Sequence, residues 1–163
     1  MGRATNRFSH LSPGEYLVAV VAQPWYAQHR PDSPGELDVA YPIVFNSGVS
    51  NPGDAVPIVL QDGERAEADA VLRPLPALHI VVSNASPDPS WPGSATLMAP
   101  LYGGFTSPIP TESTTINGSV IEITGIPPGR YVIDLQSFGG ESPANRNREL
   151  DLFSNMEIDG NEI

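Results

Sequence analysis

The sequence predicts an all-β protein built from antiparallel β-sandwiches, and three observations lead there. Proline occurs 18 times and glycine 15 times in 163 residues, spread so evenly that few stretches could run as an uninterrupted helix. Short apolar segments alternate with clusters of turn residues, the spacing of a sandwich. One stretch of pattern also occurs twice, with a constant offset of 115 positions. The longest proline-free runs, 58–73, 111–126 and 144–163, each contain glycine, which argues against an α-bundle. Glycine shows no three-residue period, which argues against a collagen-like chain. A hydrophobic content of 40% is enough to pack a core.

The clearest strand signal is Glu15–Ala22, apolar on both faces from Tyr16 to Val21, which reads as a central strand covered on both sides. Tyr41–Phe45, Val56–Leu60 and Glu67–Leu72 follow as shorter candidates, then Ala77–Ser83 and Ser94–Ala99. Ser113–Ile116 and Ser119–Thr124 flank Asn117-Gly118, a two-residue hairpin signal. In the second of these, Ile121 and Ile123 oppose Glu122 and Thr124. Arg130–Phe138 alternates cleanly, with Tyr131, Ile133 and Leu135 on one face and Val132, Asp134 and Gln136 on the other. Glu149–Phe153 completes the set. Gln28–Glu36 and Asn84–Gly93 are rich in Pro, Ser and Asp and read as surface loops.

The chain carries 8 basic and 19 acidic residues, a formal charge of −11. Such a surface repels phosphate backbones and anionic membranes, so nucleic acid is not an expected partner. There is no Cys and no Lys, which removes thiol nucleophiles, disulfides, thiolate metal sites, Schiff bases and the Walker-type phosphate loop. No run approaches the roughly 20 apolar residues of a membrane span. The opening residues lack the apolar core of a signal peptide.

The repeat aligns 8–20 with 123–135: Pro13-Gly14-Glu15-Tyr16 matches Pro128-Gly129-Arg130-Tyr131, and apolar residues coincide at Leu11/Ile126, Val18/Ile133 and Val20/Leu135. A second echo sets Asp62-Gly63 against Asp159-Gly160, each an Asp-Gly turn after a strand. One unit therefore occurs twice. The expected division is 1–74 and 75–163, with Arg73-Pro74-Leu75-Pro76 as a stiff link. About 45 residues precede the turn in the second unit and 12 in the first, so the first lacks opening strands and the second its closing one. The chain reads as a fragment of a longer tandem array.

On these residues, Phe8-x-x-Leu11-x-Pro13-Gly14-x-Tyr16 and Ile123-x-x-Ile126-Pro127-Pro128-Gly129-x-Tyr131, the chain resembles the carboxypeptidase regulatory-like domain, a transthyretin-like (Ig-like) β-sandwich. In that family the motif ends one strand, turns tightly at Pro-Gly and starts the next, whose aromatic packs into the core. The turn chemistry agrees, since Pro presets φ and Gly is expected to supply φ > 0. The resemblance implies a non-catalytic module of a bacterial extracytoplasmic or cell-envelope protein, with other domains of that protein as its partners and no cofactor. Incomplete sheets further predict self-association through their edges.

Candidate chemistry is sparse. A zinc site needs a His-x-x-Glu-like pair, and the nearest match, His29-x-x-Asp32, has no evident third ligand. His79 lies between Leu78 and Ile80 and reads as a packed or edge residue; His10 precedes a turn and reads as exposed. Gly48-Val49-Ser50-Asn51 lacks the closing glycine of a nucleophile elbow. Asp62, Glu64, Glu67 and Asp69, or Glu157, Asp159 and Glu162, are hard-oxygen groups, but acidic turns of this kind are ordinarily just solvated. The remaining constellation is aromatic: Trp25, Tyr26, Trp91, Tyr102 and Phe105 in or beside turn-rich stretches. Exposed rings stack on the apolar faces of sugars, so a carbohydrate-binding accessory module with a polysaccharide partner is the alternative expectation.

Overall fold

The computed structural model describes residues 5–23, 38–83, 94–116, 120–136 and 145–159. Its strands are β1 (Gly14–Tyr16), β2 (Ala19–Val20), β3 (Val39–Ala40), β4 (Val44–Phe45), β5 (Ile58–Leu60), β6 (Leu75–Pro76) and β7 (Leu78–Ser83). They continue with β8 (Ser94–Pro100), β9 (Thr106–Pro108), β10 (Glu112–Ile116), β11 (Val120–Ile126), β12 (Gly129–Gln136), β13 (Asn145–Leu152) and β14 (Met156–Asp159). Among the described residues the helical elements are two single turns of 3-10 helix, Pro52–Asp54 and Tyr102–Gly104. The all-β class stands.

From β7 onward the strands form two four-stranded sheets, ordered β10-β11-β7-β14 and β13-β12-β8-β9. Their inner faces supply one apolar core. Ile80 and Val82 of β7, Ile121 and Ile123 of β11 and Ile158 of β14 meet Leu97 of β8, Ile133 and Leu135 of β12, and Leu150 and Leu152 of β13. Period-2 alternation on half-buried antiparallel strands puts them there. On β12 it holds as predicted: Tyr131, Ile133 and Leu135 are buried, while Val132, Asp134 and Gln136 lie on the other face. Pairing is antiparallel except between β14 and β7, which run parallel with Met156 opposite Ile80.

β11 departs from the alternation. The register to β7 slips between Ile123 and Ile126 at Gly125, whose φ of 75° belongs to the left-handed region. A bulge of this kind turns the next side chain around. Thr124, expected to face solvent, is buried instead, and Ile126 is carried back into the core. The hairpin β10–β11 forms, with Ile116 opposite Val120, and Asn117-Gly118 itself lies outside the described residues.

Residues 5–76 are organised differently. β1 pairs with β5, β2 with β4, and β3 with β6, three two-stranded ladders. β4 and β5 act as one interrupted partner for β1 and β2, because residues 46–57 leave the ladder and return. That excursion is closed by Asn46, whose backbone N–H donates to the Val18 carbonyl (2.9 Å) and whose side-chain amide donates to the Val56 carbonyl (2.9 Å). The expected central strand at Glu15–Ala22 is a two-part ribbon with half-exposed side chains. No second pair of stacked sheets forms among the described residues, and the repeat shows why. Leu11 is 48% exposed where its counterpart Ile126 is 0%, since among the described residues no sheet lies opposite to bury it.

Other expectations shift as well. Glu67–Leu72 forms no strand and is exposed apart from the half-buried Leu72, as an alternation of acids with alanine offers no apolar face. Tyr41–Phe45 contracts to β4, with β3 just before it. β13 starts at Asn145, four residues ahead of Glu149. It places the exposed Arg148 opposite the core residue Ile133, and a charge at such a position discourages edge pairing.

Candidate functional site

The repeated motif is the most sharply built local feature. β11 ends at Ile126, the chain turns at Pro127-Pro128, and β12 starts at Gly129. The positive φ expected of the motif glycine is not adopted by Gly14 or Gly129, because each is already the first residue of a strand. The Tyr131 ring folds back over the turn, and its hydroxyl donates to the Pro127 carbonyl at 2.7 Å. Tyr16 makes the same bond to the carbonyl of Ser12, again four residues upstream. Each ring lies over the glycine two residues before it: a Cβ on Gly129 would sit 3.1 Å from the Tyr131 oxygen, and one on Gly14 would sit 3.8 Å from the Tyr16 ring. The two copies thus share a hydrogen bond as well as a sequence. They differ in burial, for Tyr131 is 6% exposed. Burial without a compensating charge pushes the Tyr131 phenol up to about 12.

Of the five predicted aromatic residues, Trp25, Tyr26 and Trp91 lie outside the described residues. Tyr102 and Phe105 are 57% and 73% exposed and flank a tight turn. Leu101 N–H donates to the Phe105 carbonyl at 2.6 Å, closing that turn, and Gly103 and Gly104 have φ of 73° and 79°. The positive angles are what allow two rings to stand on so short a loop. The Phe105 ring lies 3.5 Å from where a Gly103 Cβ would be.

The acidic turn at Asp62-Gly63 has a local explanation. Gln61 N–H donates to the Glu64 carboxylate at 2.8 Å, so Glu64 serves the turn. Among the described residues no three His, Asp or Glu side chains are gathered as a metal site, and no helix is long and apolar enough to cross a membrane. His10 is exposed, with its Nδ1 3.2 Å from Ser9 Oγ.

Two features were not visible in the sequence. The first is an open groove of about 1020 Å³ between the 42–52 segment and the β12–β13 side of the sandwich. Ile43, Phe45 and Pro52 form one wall, and Arg130, Glu149 and Phe153 contribute to the other. Arg130 Nε and Asp151 Oδ1 form an ion pair of 2.9 Å at its mouth. Phe153 is 70% exposed. The second is a cluster around His79. Its Nε2 lies 2.7 Å from Asp38 Oδ2 and its Nδ1 lies 3.6 Å from Glu122 Oε1, while its backbone N–H donates to Asn155 Oδ1 at 3.0 Å. Four stretches of chain meet there. The edge or packed role expected for His79 therefore includes partners 41 and 43 residues away.

Compared with protein-family models, curated proteins and solved structures, the chain matches none.

Proposed function

We propose that this chain is a non-catalytic β-sandwich module, a structural spacer or interaction domain of a bacterial extracytoplasmic or cell-envelope protein. The observation that carries this reading is the interior of the sandwich. The space between the sheets is occupied by aliphatic side chains, with Ile80, Leu97, Ile123, Ile133 and Leu135 at 0% exposure. Polar groups are thereby displaced to loops, edges and the groove, the surfaces through which a module meets its neighbours. The shared tyrosine bond in both copies of the Pro-Gly-x-Tyr turn supports kinship with carboxypeptidase regulatory-like domains. On this reading its partners are neighbouring domains of the same protein. Self-association through sheet edges belongs to the same reading, with Arg148 opposing it at β13.

A specific observation favours a second reading, a carbohydrate-binding accessory module. Tyr102 and Phe105 are presented to solvent on a turn shaped by two left-handed glycines, an arrangement that costs apolar exposure without serving the core. The deciding experiment is binding of the purified chain to a polysaccharide panel, with and without calcium, beside Trp91→Ala, Tyr102→Ala and Phe105→Ala. The spacer reading expects no saturable binding and no hydrolysis. Saturable binding abolished by one of the aromatic variants would replace it with the carbohydrate reading.

A further inference from the structure

We infer that the outer edge of the strand formed by β1 and β2 is where a second copy of this chain joins, antiparallel, to make one continuous four-stranded sheet. The inference rests on the reading of the chain as an interaction module and deepens it by naming the edge and the partner.

The backbone of this segment is only half used. Asn46 N–H donates to the Val18 carbonyl at 2.9 Å, and Val20 stands opposite Val44. Phe45, opposite Ala19, sends its own backbone bonds the other way: its N–H donates to Val49 at 2.8 Å and its carbonyl accepts from Gly48 at 2.9 Å. Ala19 and Phe45 are therefore a non-hydrogen-bonded pair. The alternation of an antiparallel ladder then turns the polar groups of Val18 and Val20 toward β4, and those of Leu17 and Ala19 outward. Among the described residues no strand lies on that outer side, since β1 has β5 alone and β2 has β4 alone as neighbour. β12, the matching strand in the doubled pattern, has β13 on one edge and β8 on the other.

The other edges among the described residues are guarded. β3, β5, β6 and β9 are two or three residues long. β10 and β14 carry Glu112, Glu157 and Asp159, and β13 carries Arg148. Short strands and charges keep edges from pairing. Leu17-Val18-Ala19-Val20-Val21-Ala22 has no charge, no proline and no glycine, so this edge is built to be covered.

A second copy fits because the run is its own complement. Antiparallel pairing about a two-fold axis near Val18 sets apolar residues against apolar residues and carries the two Glu15 side chains to opposite ends. Pairing in the same direction would set those like charges side by side, which is unfavourable. Each copy also has a formal charge of −11, so contact between copies needs an uncharged stretch such as this one. Pairing uses up the open edge of both copies, and assembly therefore stops at two.

Sedimentation equilibrium of the whole chain over a range of protein concentrations tests this, with hydrogen exchange measured at both ends of the range. The mass is expected to rise from one chain to two and no further. The dissociation constant should fall several-fold as NaCl is raised from about 0.02 to about 0.5 M, because salt screens the repulsion between two acidic chains. In the dimer the Leu17 and Ala19 amides become protected, while the Val20 amide, already turned toward β4, changes little. Ala19→Pro removes an outward N–H, a change that an edge strand accepts. It should raise the dissociation constant at least about tenfold with circular dichroism unchanged; if it fails to fold, the wild-type amides decide. A single chain at every concentration would overturn the inference, as would association that leaves the Leu17 and Ala19 amides unprotected. So would a folded Ala19→Pro chain that dimerises like the wild type. None of these results bears on the module reading itself, which the polysaccharide panel tests separately.

Discussion

Replacing Tyr131 by Phe removes one oxygen from the molecule and tests the corner at which β11 becomes β12. The hydroxyl donates to the Pro127 carbonyl at 2.7 Å and the ring is 6% exposed. Loss of a buried hydrogen bond that leaves its acceptor in place costs about 1 kcal/mol, so near pH 8 Tyr131→Phe should be less stable by that amount. The same burial raises the phenol from 10.0 to about 12. Between those values the unfolded chain has released a proton that the folded chain retains, so wild-type stability falls as pH rises, by about 1.4 kcal/mol per unit. The loss is absent below the unfolded value, grows through the window and levels off above about 12, at a total near 3 kcal/mol. The phenylalanine variant has no such proton. Its disadvantage should vanish near about pH 11 and become an advantage of about 2 kcal/mol beyond 12. Urea unfolding followed by far-UV circular dichroism, at fixed pH steps for both proteins, reads this difference directly, because the other titrating groups cancel. A stability difference that stays constant from pH 9 upward would refute the argument that burial of this phenol is what holds its proton.

The two copies of the turn should respond unequally to the same substitution. Gly129→Ala brings a methyl to 3.1 Å from the Tyr131 oxygen, whereas Gly14→Ala leaves 3.8 Å to Tyr16; the first should lose about 1 kcal/mol or more in urea unfolding and the second clearly less. Gly125→Ala forces a side chain onto a φ of 75° and should cost about 1 kcal/mol, with the lost protection concentrated in β11 by hydrogen exchange. Leu97→Ala or Ile133→Ala empties a position at 0% exposure and should cost about 2–5 kcal/mol. Val59→Ala, on the ribbon at 58% exposure, should stay within about 0.5 kcal/mol. Thermal melts that find Val59→Ala as damaging as Leu97→Ala would contradict the assignment of stability to the sandwich.

Strand identity could be read wherever alternation was strong and burial on one face was complete. Tyr131, Ile133 and Leu135 on β12 and Ile121 and Ile123 on β11 are the clearest examples. The Pro-Gly-x-Tyr turn was legible as a tight corner with a ring packed behind it, because its determinants lie within five residues, but its glycine was misread, since Gly14 and Gly129 stay in extended strand rather than at positive φ. β9, three residues ending at Pro108, was invisible, being too short to show a period. The site was less legible still. Tyr102 and Phe105 could be named from their exposed-loop context, but the groove walls come from 42–52 and 128–153, and the His79 cluster joins positions 38, 79 and 122.

Composition and local pattern, taken alone, establish the β class, the tight turns and the doubled motif, since proline, glycine and two-residue alternation act on the chain within a few residues of themselves. Whether each copy of the motif becomes a sandwich was decided elsewhere. Leu11 and Ile126 occupy equivalent positions after equivalent patterns, yet one is 48% exposed and the other 0%. Burial requires an opposing surface, and opposing surfaces are supplied by residues far away in sequence. β7, β8 and β14 provide one for the second copy, while among the described residues the first has only a two-stranded ribbon.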